Sequence, residues 1–293
     1  MKKKKLRADK GRWPEKYRSA VILGFDFDAE SNELRTAPGK IVPITKGKYG
    51  ATVGLDRIFN LLERFSIPAT FFVPGWVAEN YAGKVKEIQN RGFEIAGHGY
   101  LHEKVSELRV EDERHVLEKC LNGIREATGS APLGYRAPWF DFSRNSLDLL
   151  GEFGFQFDSS LMNQDLPYFI KSSPEGRRLV ELPVDWCLDD WPAFEMDRKS
   201  VKTVREIWQS EFDALYSAGS LFNLTMHPEC IGRPSRIEML REFIQYIQSK
   251  RNVWFASAGE VSKWWRSKHS DDPPVEFSFS QSKRKFTSVY KDS

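Results

Sequence analysis

Gly92-Phe-Glu-Ile-Ala-Gly-His-Gly-Tyr-Leu-His-Glu103 starts as a short apolar strand, breaks at Gly97 and delivers two histidines four residues apart, His98 and His102. A single helical turn or a tight loop brings side chains at that interval onto one side, where they form a pair of ligands for one metal ion. Exposed helices carry the same spacing and bind nothing, so position gives the pair its weight. Both imidazoles emerge at the carboxyl end of a strand, the edge on which parallel α/β proteins build their sites.

Other strands of the chain end in the same way. Ser19-Ala-Val-Ile-Leu-Gly-Phe-Asp-Phe-Asp28 is an apolar run closing on two acids. Strand alternation puts Asp26 and Asp28 on one face and Phe25 and Phe27 on the other. Two carboxylates so placed repel unless a cation lies between or beside them. Gly134-Tyr-Arg-Ala-Pro-Trp-Phe140 offers Arg136, a guanidinium able to orient an aspartate and lower its pKa, and Ser220-Leu-Phe-Asn-Leu-Thr-Met226 ends at His227-Pro228.

Amphipathic helices separate these strands, with Leu55, Ile58, Phe59, Leu62 and Phe65 on one stripe, Leu117, Cys120, Leu121 and Ile124 on another, and Ile237, Leu240, Ile244 and Ile247 on a third. Further helices are expected over 76–91, 200–218 and up to Trp265, and further strands at Ala69–Val73, Phe155–Phe157, Leu179–Pro183 and Asn252–Ala256. The alternation argues for an α/β fold on a parallel sheet, and its repetition for a closed barrel. Residues 30–53, with Pro38, Gly39, Pro43, Gly47 and Gly50, read as a long loop able to serve as a lid. Asp185-Trp-Cys-Leu-Asp-Asp-Trp-Pro192 reads as an aromatic, acidic segment lining a polar cleft or as a turn with packed tryptophans.

Composition limits the rest. The net charge of +3 is uneven, because residues 1–18 carry nine Lys and Arg against Asp9 and Glu15, a local +7. We read 1–18 as a basic leader, 19–265 as the folded catalytic barrel and 266–293 as a flexible polar tail. The leader has no interleaved aromatic pattern for nucleic acid, no signal-peptide core follows its lysines, and no apolar run could span a bilayer. The expectation is a cytoplasmic protein with neither nucleic acid nor membrane as partner; homo-oligomer formation is left open. Cys120, Cys187 and Cys230 are too scattered for a disulfide framework or a cysteine zinc site.

Together, Phe25-Asp-Phe-Asp28, His98-Gly-Tyr-Leu-His102, Tyr135-Arg-Ala-Pro138 and Leu224-Thr-Met-His-Pro228 resemble the motifs of the polysaccharide deacetylase family, carbohydrate esterase family four, over nearly all of residues 19–265. The resemblance implies a distorted (β/α) barrel with about seven parallel strands. It also implies Asp28, His98 and His102 as metal ligands, Asp26 as general base, His227 as general acid and Arg136 as the residue holding Asp26. The aspartate supporting His227 lies among Asp185, Asp189 and Asp190, and Asp189 is taken as the candidate. Such a ligand set suits Zn²⁺, with Co²⁺, Ni²⁺ or Fe²⁺ as alternatives. The implied reaction is hydrolysis of a non-peptide C–N bond, with removal of acetyl from an N-acetylated sugar as the leading substrate reading. Trp76, Tyr100, Trp139 and Trp186 are candidate aromatic walls for the substrate. The His227-Pro-Glu-Cys-Ile-Gly-Arg-Pro234 segment also resembles a branch containing peptidoglycan deacetylase-like proteins and cyclic imide or ureide hydrolases, so ring-opening of such a compound is the alternative, and a non-catalytic carbohydrate-binding protein the third reading. The first motif departs from the usual pair of adjacent aspartates by placing Phe27 between them.

Overall fold

The computed structural model describes residues 11–172 and 176–277. Strand β1 (Ser19–Asp26) is buried along its whole length, as expected of an unbroken apolar run covered on both faces. In chain order follow β2 (Thr70–Val73), β3 (Glu94–Gly97), β4 (Gly134–Tyr135), β5 (Phe157–Asp158), β6 (Tyr168–Lys171), β7 (Arg178–Glu181), β8 (Leu221–Met226) and β9 (Val253–Phe255). They make one sheet in the order β6-β7-β5-β4-β3-β2-β1-β8, with β9 paired to β1. Every pairing is parallel except β6 with β7.

The helices around the sheet are α1 (Ser31–Thr36), α2 (Ile41–Tyr49), α3 (Leu55–Phe65), α4 (Gly75–Asn80), α5 (Ala82–Asn90), α6 (Val110–Thr128), α7 (Ser146–Glu152), α8 (Val201–Ala218), α9 (Pro228–Ile231), α10 (Pro234–Gln248) and α11 (Ala258–Lys268). Phe25 stacks on Phe71 at 5.1 Å, in the apolar layer that also takes the inward stripes of α3 and α10. That layer fixes the other face of β1, and therefore Asp26, toward the inside of the curl.

The barrel is distorted because its seam is not a ladder. Pro183 follows β7 and has no N–H to give. Asn223 of β8 spans the gap, donating from Nδ2 to the carbonyls of Leu182 and Pro183 at 3.1 Å each, and Asp189 forms an isolated parallel bridge with Thr225. Among the described residues, eight strands run parallel and one antiparallel, where about seven parallel ones were expected. The antiparallel β6 lies between the expected strands at Phe155–Phe157 and Leu179–Pro183.

Several boundaries move. The expected loop over 30–53 is mostly helical, with α1, α2 and a π-helical turn at Gly50–Gly54 running directly into α3. Pro43 lies in the first turn of α2, where a missing N–H costs little. The helix expected over 76–91 is two helices, α4 and α5, meeting at Tyr81. The leader ends earlier than residue 18: Trp13 is buried against Trp254 and Trp265, and its Nε1–H donates to the Gly219 carbonyl at 2.9 Å. The tail begins later than residue 266, because Val275 exchanges backbone hydrogen bonds with Phe169 and Lys171. Residues 1–10 and 278–293 of those two segments lie outside the described residues. Among the described residues no helix is long and apolar enough to cross a membrane.

Candidate active site

The carboxyl ends of β1, β3, β4 and β8 converge on one point. His98 leaves β3 and His102 follows through a tight loop, not a helix: Gly99 and His102 both take left-handed φ values, 66° and 57°. Glu103 fastens that loop by accepting the N–H groups of Tyr100 and Leu101 at 3.0 and 2.8 Å. The two imidazole rings end 5.2 Å apart. Asp28 meets both, with Oδ1 at 3.5 Å from His98 Nε2 and Oδ2 at 3.3 Å from His102 Nε2. All three residues are buried.

These residues fit a metal ion by their own chemistry. Asp28 Oδ1 and His98 Nε2 are buried with no hydrogen-bond partner, a condition that proteins avoid unless a ligand or ion completes it, and His102 brings Nε2 to 3.3 Å from the same carboxylate. His98 Nδ1–H donates to the Arg136 carbonyl at 2.8 Å, so the lone pair of His98 lies on Nε2, toward Asp28. Burial pushes His98 down to about 4 against the pull of Asp26. It pushes His102 well below the ordinary histidine range, with His98 and His227 adding to the effect. Both imidazoles are therefore neutral, as ligation needs. Burial raises the Asp28 carboxyl well above the usual range, opposed by His227 and reinforced by Glu229 and Asp26; a bound cation acts in the opposite direction.

Asp26 is held by a different device. Its burial raises the carboxyl pKa, but the Arg136 guanidinium, then His98 and His227, outweigh burial and hold it below the usual range. Arg136 is fully buried and spends each of its nitrogens: Nη1 on Asp26 Oδ1 at 2.8 Å, Nε on the Ser159 carbonyl at 3.1 Å and Nη2 on Ser159 Oγ at 3.0 Å. Gly24 makes the room, for a Cβ there would stand 2.9 Å from Nη1.

His227 Nε2 lies 4.0 Å from Asp26 and 3.9 Å from Asp28. Its Nδ1 pairs with Asp190 at 2.7 Å, and its backbone N–H also donates to that carboxylate. Burial lowers the His227 pKa, but Asp190, Asp189 and Asp26 reverse this and hold it well above the ordinary histidine value. Asp189, the candidate from sequence, is 3.8 Å from Nδ1 and instead accepts the Trp191 N–H at 2.8 Å. Asp185 caps the short turn that follows it by accepting the Cys187 N–H. The supporting aspartate is therefore Asp190. Both carboxylates approach His227 Nδ1, but only Asp190 is within hydrogen-bond distance.

A cavity of about 340 Å³ opens on these groups. Trp139, Phe140, Trp186, Trp191 and Met196 line it beside the polar Asn32, Glu33 and Glu229. Trp139 and Trp186 are thus where the sequence reading expects a substrate wall, whereas Tyr100 and Trp76 are not. The Tyr100 hydroxyl donates to Glu79 at 2.9 Å, and Trp76 packs edge-on against Tyr81. Asn32 and Glu33 lie in a segment whose prolines and glycines read as loop, and no local pattern marks Glu229. Cys230 is buried with its thiol pushed well up by burial, which suits a core residue and not a nucleophile.

The sequence profile of the polysaccharide deacetylases matches residues 45–157. A peptidoglycan deacetylase of Helicobacter pylori is 30% identical over 276 residues, a match covering 83% of this chain and 94% of that protein. The chain belongs to the polysaccharide deacetylase family. A Mycobacterium smegmatis structure assigned to the polysaccharide deacetylases superposes with a TM-score of 0.85 at 36% identity, covering 91% of this chain and 96% of that one. The allantoinase PuuE superposes with a TM-score of 0.81 at 25% identity, covering 88% and 93%. As a polysaccharide deacetylase family member the chain is a hydrolase of carbon–nitrogen bonds other than peptide bonds. The family's metal dependence meets two donor groups here, Asp28-His98-His102 and Asp189-Asp190-His227. The second already spends His227 Nδ1 on Asp190.

Proposed function

We propose that this protein is a metal-dependent amide hydrolase that removes acetyl from an N-acetylated sugar. One observation carries the reading: Nε2 of His98 and Nε2 of His102 lie 3.5 and 3.3 Å from the Asp28 carboxylate, flanked by Asp26 locked to Arg136 and by His227 locked to Asp190. A divalent ion held by those three residues, which we take as Zn²⁺ with Co²⁺, Ni²⁺ or Fe²⁺ as alternatives, supplies Lewis acidity toward the amide carbonyl and acidifies water.

The remaining work belongs to the chain. Asp26, ionised and oriented by Arg136, accepts the proton of the attacking water as the water oxygen bonds to the carbonyl carbon. His227, with Asp190 stabilising its imidazolium, gives a proton from Nε2 to the amine nitrogen as the C–N bond breaks. Acetate and a free amine leave. Two groups with opposed protonation on either side of the reacting carbon are the arrangement amide hydrolysis requires. The aromatic lining from Trp139 and Trp191 suits the apolar face of a sugar ring, and Trp139 lies 5.3 Å from the His102 ring.

A second reading, opening of a cyclic imide or ureide, is favoured by the modest cavity, near the lower end of the roughly 300–1,000 Å³ typical of ligand pockets, and by the likeness to an allantoinase. Hydrolysis of N-acetylglucosamine oligomers and of small cyclic imides by metal-loaded protein separates the two; activity on imides alone removes the sugar reading. Metal content is tested on the same preparations. About one divalent ion per chain is expected in the wild type and almost none in His98→Ala. A well-folded wild type that takes up no ion after reconstitution refutes the metal assignment.

A further inference from the structure

The chemistry above leaves Glu33, Asp189 and Glu229 of the cavity unused, and Glu229 is the one with an unpaired oxygen. Glu229, two residues beyond His227, is 2% exposed, and its side chain lines the cavity beside Asn32 and Glu33. Its Oε2 has no hydrogen-bond partner. A buried polar atom left unpaired is unfavourable to the folded state, and native proteins retain one mainly where a ligand completes it.

The position is built. The helical run from α2 into α3 presses its backbone onto the His227–Glu229 turn at two glycines. A Cβ on Gly50 would stand 2.7 Å from Glu229 Oε2 and 2.9 Å from its backbone nitrogen, and one on Gly54 would stand 2.2 Å from the Pro228 carbonyl oxygen. Any side chain at either place would displace the turn. Lys46, on the same run, does not occupy the carboxyl, because its Nζ pairs with Glu195 and lies 3.8 Å from the centre of the Trp191 ring. Tyr49 and Arg57 tie the run down at the far end of the turn, both donating to the Gly232 carbonyl at 3.0 Å. The segment read as a loop is therefore a brace that holds a carboxyl in the cavity.

We propose that Glu229 is a specificity-determining residue, hydrogen-bonding a donor on the substrate ring outside the amide that is cleaved. Resting on the N-deacetylation reading, the inference assigns that donor to a ring hydroxyl of the N-acetylated sugar. A pocket built around such a bond discriminates strongly against analogues lacking the donor, because its own buried group is then left unpaired.

The test compares substrates that differ in that donor, using metal-loaded full-length protein. N-acetylglucosamine tetramer carries ring hydroxyls and 4-nitroacetanilide carries none. Replacing Glu229 by Ala is expected to lower kcat/KM on the tetramer roughly ten- to a hundredfold, mainly through KM, the range expected where a buried polar group is left without its partner. The loss on 4-nitroacetanilide should be at least about tenfold smaller, and Glu229→Gln, which keeps an acceptor, should recover most of the tetramer activity. If the alanine variant does not fold, Glu229→Met, which fills the volume without a carbonyl acceptor, carries the comparison. Equal losses on both substrates, or none on either, overturn the assignment. A wild type that opens cyclic ureides and leaves both acetamides intact removes the sugar reading alone. Glu229 is then judged on hydantoin against succinimide, which lacks the second ring N–H; the same differential upholds it and its absence overturns it.

Discussion

Replacing Arg136 by Met removes a guanidinium that is fully buried and bonded to Asp26 at 2.8 Å and to Ser159 at 3.0 and 3.1 Å. Methionine fills much of the volume and offers no donor. Asp26 is then left in a site that is 3% exposed, and Ser159 loses both of its guanidinium contacts. Deleting one partner of a buried ion pair costs about 3–5 kcal/mol, most of it the cost of the charge left behind. For a domain of this size that corresponds to a fall in Tm of roughly 6–20 °C. If the stranded charge is the cause, adding Asp26→Asn should return part of the loss. The double variant should then be less destabilised than the sum of the singles by about 1–3 kcal/mol. Urea unfolding of metal-free wild type, both single variants and the double variant at one pH measures the cycle without a contribution from ion binding. A loss below about 1 kcal/mol for Arg136→Met, or strict additivity, would refute the view that the pair is held by mutual compensation.

Two other outcomes test neighbouring parts of the site. Asp190→Asn should lower kcat about 10²–10⁴-fold on whichever amide the protein accepts, the range for general acid catalysis, and Asp189→Asn at least about tenfold less; steady-state kinetics that reverse this order would return the supporting role to Asp189. The buried Asp158 and Glu181 carboxyls beneath the site provide a pH test. Burial raises Asp158 to about 6 and Glu181 well above the usual range, with Asp158 adding to the latter. A carboxyl raised on folding stabilises the protein fully below its unfolded pKa, near 4, and that stabilisation is lost as pH rises through the folded value. Glu181→Gln should therefore gain stability relative to the wild type between about pH 5 and 8, seen in urea midpoints; parallel pH curves would remove the pair as the source.

The sequence carried the strand ends well because each is a local pattern: an apolar run that terminates in Asp26 and Asp28, in His98 or in His227. Strand alternation alone separated Phe25 and Phe27 from the two aspartates, and the packing of Phe25 on Phe71 agrees with it. The helices α6, α8 and α10 were readable from period and caps, as with Ser200, which accepts the Thr203 N–H at the start of α8. Residues 30–53 misled for a physical reason. Their glycines look like chain breakers, yet Gly47 and Gly50 serve close packing: a Cβ on Gly47 would stand 2.3 Å from the Ala29 carbonyl oxygen. Whether a glycine marks a turn or a near approach is decided by what packs against it, which no local window contains.

What the sequence determined by itself is the alternation of strands and helices, the parallel sheet, and the polar residues placed at its carboxyl edge. Only the tertiary structure decided which of them meet. It put Asp190 at 2.7 Å and Asp189 at 3.8 Å from His227 Nδ1, set Tyr100 on Glu79 instead of in the cavity, stopped the barrel short of closure at Pro183, and brought Glu229 against a helix some 180 residues earlier in the chain. Periodicity is a property of neighbours along the chain. The direction of a single side chain at the end of an element depends on contacts that close only when the sheet has curled.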